Sequence, residues 1–169
     1  GRDTTEGAMA WEMSRRTLHA MAAGGMHDHL GGGFHRYSVD RYWHVPHYEK
    51  MLYDQAQLAM AYLDAWQISG EPEFREVTEG IFRYLIETLR DSGGAFHAAE
   101  DADSLPHATA KHKREGAFWT WSAEEISSLL DPRDAAVFCA AHGVEADGNA
   151  RPESDPHGEL EGQNTLFRA

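Results

Sequence analysis

Apolar residues recur at spacings of three and four along much of the chain, and glycines close the runs. Ala8, Trp11, Leu18 and Ala22 share one side of a first helix from about Glu6 to Ala23, which Gly24-Gly25 ends. A second helix begins near Pro46, whose fixed φ suits a first helical turn. Leu52, Ala56, Ala59, Leu63 and Trp66 give it an apolar stripe that runs to Gly70. A third starts at Glu71-Pro72, buries Phe74, Val77, Ile81, Tyr84 and Leu85, and stops at Gly93-Gly94. Ser122 caps a fourth, with Glu125 placed to complete a capping box. Asp131-Pro132 opens a fifth, which closes at Gly143.

Helix, glycine-rich loop, helix is the pattern of αα-hairpins, so the expected fold is all-α. An internal echo fits it: Gly32-Gly33-Phe34-His35 returns as Gly93-Gly94-Ala95-Phe96-His97, each time after a helix. Two segments stand outside the helical pattern. AFHAAEDADS and GAFWTW alternate loosely and are expected to pair as a short β-ribbon. Residues 145–169 are acidic and rich in Gly and Pro, and read as an irregular tail or loop beside the helical part, 1–144.

At 169 residues the chain is long enough for one core, and no apolar run approaches the roughly 18 residues of a membrane span. A net charge of -13 argues against nucleic acid, because phosphate binding needs clustered Lys and Arg; KHKR at Lys111–Arg114 is a short solvated loop. The single cysteine, Cys139, lies among small apolar residues as a buried thiol and excludes an intramolecular disulfide. A cytoplasmic location is expected. The opening GRDTTEGAMAW reads as a first helical turn, so targeting information upstream is not addressed.

Candidate chemistry concentrates between Gly24 and Gln55. A loop of about twenty residues between two good helices is functional or disordered, and Phe34, Tyr37, Tyr42, Trp43 and Val45 are too apolar for disorder. Gly31–Gly33 lets a ligand approach the main chain, flanked by His29, His35 and Arg36. Stepping back from Leu52 at helical spacing reaches Glu49 and Tyr48, which places the Glu49 carboxylate on the core side of a helix start. It then needs a partner, and Arg36, Lys50 or a histidine is available. Lys50 and Asp54 form an i, i+4 pair on another side. His27, His29 and His35 lack the helical spacing of a zinc motif, so neither metal nor cofactor is expected.

A second cluster is Glu100-Asp101-Ala102-Asp103-Ser104. Its Asp-x-Asp opening is that of a calcium loop, but Leu105-Pro106 breaks the remainder. Paired carboxylates near Phe96, Phe118, Trp119 and Trp121 suit a sugar, which offers apolar C–H faces and a ring of hydroxyls.

These residues carry a resemblance. GGGFHRYSVD, VPHYEKMLYDQ and EDADS, within a match spread over Thr17–Leu130, resemble the YyaL-like, spermatogenesis-associated protein twenty family. The resemblance implies a thioredoxin-like domain followed by a six-hairpin (α/α) toroid, similar to that of N-acylglucosamine 2-epimerases and several glycoside hydrolases. This chain corresponds to part of the toroid only, and helix faces meant for further hairpins would favour self-association.

The expectation is a carbohydrate-active toroid, isomerase-like or hydrolase-like, taking a sugar-like small molecule. Glu49 and His47 would transfer protons, and Asp101 and Asp103 would be a second acid/base pair or hydroxyl ligands. Asp28, His29, His35, Arg36, Tyr53 and Asp54 would contact substrate, while Phe34, Tyr37, Trp43 and Trp119 would stack on its ring. The alternative is a non-catalytic glycan- or protein-binding module. Convergence of Glu49, His47, Asp101 and Asp103 on one cavity would favour catalysis; separate surfaces would favour binding.

Overall fold

The computed structural model describes residues 3–169 and is helix-rich, with a few two-residue strands. Helix α1, Thr5–Ala23, is capped by the Thr4 hydroxyl accepting from the Gly7 N–H, and ends at Gly24. Helix α2, Leu52–Ser69, closes on Gly70 in the left-handed conformation. Helix α3, Pro72–Tyr84, runs on into a five-residue π-helical turn, Leu85–Leu89. The short helices α4, Ala123–Leu129, and α5, Pro132–Ala141, begin as the sequence predicts. Ser122 and Glu125 form the reciprocal capping box, and the Asp131 carboxylate caps α5. No helix among the described residues is long and apolar enough to cross a membrane.

The helical core lies where α2 packs on α3 and both meet α1. Phe34, Ala59, Tyr62, Phe74, Val77 and Ile81 are buried there, with Trp11, Leu18, Trp43 and Trp66 against them. The predicted stripe of α3 is borne out at Phe74, Val77, Ile81 and Tyr84. Polar ties hold α1 to the α2–α3 hairpin. Tyr62 donates to the Leu18 carbonyl at 2.7 Å, and Arg15 grips Glu71 with two nitrogens at 2.7 and 2.9 Å.

The start of α2 departs from expectation. Pro46 does not open a helix; the backbone stays extended from Pro46 to Met51, and α2 begins at Leu52. Strand β1, Tyr37–Ser38, pairs antiparallel with β2, Pro46–His47. Strand β3, Lys50–Met51, pairs with β4, Ala99–Glu100, which sets Lys50 opposite Glu100. Strand β5, Asp103–Ser104, pairs with β6, Arg114–Glu115. The expected ribbon is met only in part: the Asp103–Ser104 end of AFHAAEDADS pairs with Arg114–Glu115, just before GAFWTW, while Ala99–Glu100 pairs with Lys50–Met51. Phe96 instead bridges Arg90, and Trp121 bridges Asn164. The internal echo does have a structural counterpart, since Phe34 bridges His27 much as Phe96 bridges Arg90.

Residues 145–169 contain no helix or strand, yet they pack onto the rest. Asn164 is fully buried; its side-chain amide donates to the Trp121 and Glu145 carbonyls while its oxygen accepts from the Glu145 N–H. Thr165 bonds the Tyr48 hydroxyl, and the Arg168 N–H reaches the Ala23 carbonyl at 2.7 Å. This closes the end of the segment against the end of α1.

One side chain locks the glycine loop to α2. Gln55, fully buried, accepts from the Phe34 N–H at 2.8 Å and donates to the Phe34 carbonyl at 2.6 Å. A Gln55→Leu variant should unfold about 2–4 kcal/mol more easily in urea, since two buried backbone groups lose their partners. An unchanged unfolding midpoint would show that these groups find other partners.

Candidate functional site

The extended run 46–51 decides which side chains face inward. In a strand alternate residues point to opposite sides. Pro46, Tyr48 and Lys50 are buried, whereas His47, Glu49 and Met51 are only partly so. The expectation that Glu49 occupies the core side came from helical spacing and is corrected: the inward charge is Lys50, at 0% exposure. Nor does Lys50 pair with Asp54. Its ammonium donates to Asp28 at 2.6 Å and to the Gly32 carbonyl at 2.9 Å. It also lies 4.4 Å from the Tyr84 ring centre and 4.2 Å from that of Trp119. Three separate segments thus converge on one amine.

The glycine loop presents Asp28 for this purpose. Its second carboxylate oxygen accepts from the Leu30 and Gly31 N–H groups, both at 2.9 Å. Gly32 and Gly33 follow at φ 75° and 74°, and a Cβ at Gly33 would lie 2.6 Å from the Tyr84 ring. Only glycine lets the loop press this closely on α3. Burial would raise the Asp28 pKa, but the Lys50 ammonium and the two N–H groups outweigh it and hold the group below its ordinary range. Burial also pulls Lys50 downward from the usual lysine range, against the opposing pull of Asp28.

Above this pair opens a cleft of about 600 Å³. Asp28, Lys50 and Glu100 form its polar floor, Tyr84 and Trp119 its aromatic sides, and Phe118 and Trp121 extend the wall. Glu100 accepts from the Tyr84 hydroxyl at 2.8 Å. His29 and His35 also line it, each tied to the main chain: His29 donates to the Gly24 carbonyl at 3.0 Å and His35 to the Tyr48 carbonyl at 2.9 Å. The imidazole of His35 meets the Tyr48 and Trp119 rings edge to face, each at 5.2 Å. Burial pushes His35 down to about 3 and the adjacent His27 down to about 4, so both are neutral near pH 7.

Of the residues singled out from sequence, Asp28, His29, His35 and Trp119 line this cleft. The rest fall elsewhere. Phe34 is wholly buried in the helical core, and Trp43 packs against that core, so neither stacks on a ligand in the cleft. Trp43 also holds φ 61°, which lets its carbonyl accept from the Gly25 N–H at 2.8 Å. His47, Glu49, Arg36, Tyr37, Tyr53 and Asp54 form a separate cluster, because His47 and Glu49 share the opposite side of the strand from Lys50. His47 Nδ1 bonds Glu115 at 2.6 Å, its Nε2 lies 3.7 Å from Glu49, and its ring stacks on Tyr37 at 5.2 Å. Arg36 donates to Glu49 at 2.9 Å. Burial raises the Asp54 carboxyl, and its Oδ2 is buried with no hydrogen-bond partner among the described residues.

Asp101, between β4 and β5, and Asp103, the first residue of β5, are both exposed. Asp101 pairs with Lys113 at 2.9 Å and accepts from the Asp103 N–H at 3.1 Å. Glu49, His47, Asp101 and Asp103 therefore do not converge on the cleft. Lys50 and Tyr84 carry no assigned site role in the sequence reading, and Glu100 stands in the acidic cluster there without a role of its own. Reading 46–51 with a period of two would have found Lys50, whereas Glu100 depends on a long-range strand pairing that no local pattern carries.

The geometry defines a helical-hairpin scaffold whose glycine loop, first hairpin and a cross-strand ribbon enclose an aromatic cleft over a buried ion pair. No protein-family profile matches the chain. Spermatogenesis-associated protein 20 of Homo sapiens is 47% identical over 96% of the chain, and that of Mus musculus 45% over 97%. An uncharacterized protein of Caenorhabditis elegans is 46% identical over 91%. These matches support the family that the glycine-loop motifs resemble. The chain spans 22% of the length of each of these relatives, so it is similar to one segment of them.

Two outcomes follow from the buried groups. Lys50→Met should destabilise the fold by about 3–5 kcal/mol by leaving Asp28 charged and unpaired. Asp28→Asn combined with Lys50→Met should recover much of that loss in chemical denaturation. The histidines set a pH dependence with a defined sign. Their folded pKa values lie below the unfolded value of about 6.5, so below that pH the unfolded chain takes up protons that the native chain refuses. Stability should fall by about 1.4 kcal/mol per pH unit for each group, from about pH 6.5 down to about 4 for His27 and about 3 for His35. Unfolding midpoints measured between pH 7 and 4 check this; a flat profile would contradict it.

Proposed function

We propose that the cleft binds a sugar-like polyol, as one wall of a carbohydrate-active (α/α) toroid. The observation that carries this is the combination of the half-buried Trp119 and exposed Phe118 rings with a floor of Asp28, Lys50 and Glu100 in a cleft of about 600 Å³. Flat aromatic surfaces suit the C–H face of a pyranose, and fixed carboxylates suit its hydroxyls. The floor is already arranged by main-chain and ion-pair contacts, so little ordering accompanies binding. Residues at one cleft bind and orient; Glu49, His47, Asp101 and Asp103 stand outside it, which supports ligand recognition as the role of this segment.

A catalytic reading has its own support in the second cluster. His47 lies between two carboxylates beside Arg36, with Tyr37 stacked on its ring, an arrangement suited to proton transfer at a sugar carbon or oxygen. In a full-length protein such chemistry would be isomerase-like or hydrolase-like, completed by hairpins beyond this segment and accompanied by a thioredoxin-like domain.

Titration calorimetry against a panel of neutral monosaccharides tests the recognition reading. Trp119→Ala should weaken binding by about tenfold, a loss of about 1.4 kcal/mol when an aromatic stacking face is removed. Glu49→Gln and His47→Ala should leave affinity within about twofold. Loss of binding in the latter pair with Trp119→Ala unaffected would move the site to the second cluster.

A further inference from the structure

The charge of the cleft narrows its ligand, an inference that rests on the sugar reading above. Three carboxylates line it: Asp28, Glu100 and Glu125. Among the described residues the one lysine in its lining, Lys50, is fully buried and is spent on Asp28 and the Gly32 carbonyl, and no arginine lines it. Histidine adds no charge, because burial keeps His27, His29 and His35 neutral near pH 7. Glu125 is itself engaged, accepting from Ser122 at the start of α4.

Glu100 is different. It lies opposite Lys50 across the β3–β4 pair and holds the Tyr84 hydroxyl with Oε2, and it forms no ion pair among the described residues within 4.0 Å. An anionic sugar would meet this carboxylate with no free cation to receive it. A cationic group would meet a carboxylate beside the partly exposed Trp119 ring, whose aromatic surface suits a cation. The net charge of -13 adds a long-range pull of the same sign.

We infer that the ligand carries an amine, as a sugar with a free amino group does, and that Glu100 is the residue which selects it. The carboxylate would pair with the ligand ammonium while Trp119 covers the ring face. Glucosamine, glucose, N-acetylglucosamine and glucuronate share one ring size and differ in charge, so they separate the contributions.

Titration calorimetry of the 169-residue chain at pH 7 and low salt should find glucosamine bound about tenfold more tightly than glucose or N-acetylglucosamine, and glucuronate weakest. Raising the salt should shrink the preference. Glu100→Gln keeps an acceptor for the Tyr84 hydroxyl and should bring glucosamine to the affinity of glucose, with an unchanged unfolding midpoint as the control for folding. Equal binding of glucosamine and glucose, or a preference for glucuronate, would overturn the amine inference and leave the sugar reading standing. Failure of all four sugars to bind would overturn both. If Glu100→Gln kept the preference, Glu100 would not be the selecting residue.

Discussion

The ion pair between Lys50 and Asp28 is the contact on which the arrangement of this chain depends. A lysine with no exposed surface is tolerated only where its charge is met, and here one carboxylate, one carbonyl and two aromatic faces meet it. The partners come from three parts of the chain: the glycine loop, which supplies both the carboxylate and the carbonyl, the end of α3, and the segment before α4. Satisfying one ammonium therefore fixes the loop, the hairpin and the aromatic wall relative to one another. A burial that is expensive in isolation has become a device for specificity of packing.

The glycine loop serves that device more than it serves ligand approach. Gly33 sits where a Cβ would strike Tyr84, and Gly32 supplies a carbonyl to Lys50. The Asp28 carboxylate is prepared by two N–H groups of the same loop, and Gln55 clamps Phe34 from the helix below. The floor of the cleft is thus held in place by contacts below it. The wall reached by Thr165 and Leu166 depends on the irregular segment at the end, which Asn164 ties to both Trp121 and Glu145.

The two faces of the strand before α2 separate two chemistries. Tyr48 and Lys50 turn toward the cleft, while His47 and Glu49 turn to the Arg36 cluster. Residues adjacent in sequence are thereby assigned to sites that do not share a surface. The density of polar residues between Gly24 and Gln55 reflects both, compressed into one stretch.

Five helices were legible in the sequence because their signals are local: a 3.6-residue apolar period, a capping box at Ser122 and Glu125, a proline at Pro132, glycines after α1 and α2. Asp28, His29, His35 and Trp119 were legible as site residues because a glycine loop and nearby aromatics announce themselves over short spans. The choice between Glu49 and Lys50 was not, since it turns on whether 46–51 is helical or extended. The chain there is extended because Pro46 lies in a strand paired with β1, and Lys50 in one paired with β4, nearly fifty residues further on. Likewise Glu100 and Tyr84 join the cleft only through that pairing and the packing of α3. Local physics determined which segments coil; long-range hydrogen bonding and the need to neutralise one buried ammonium decided which charges face each other.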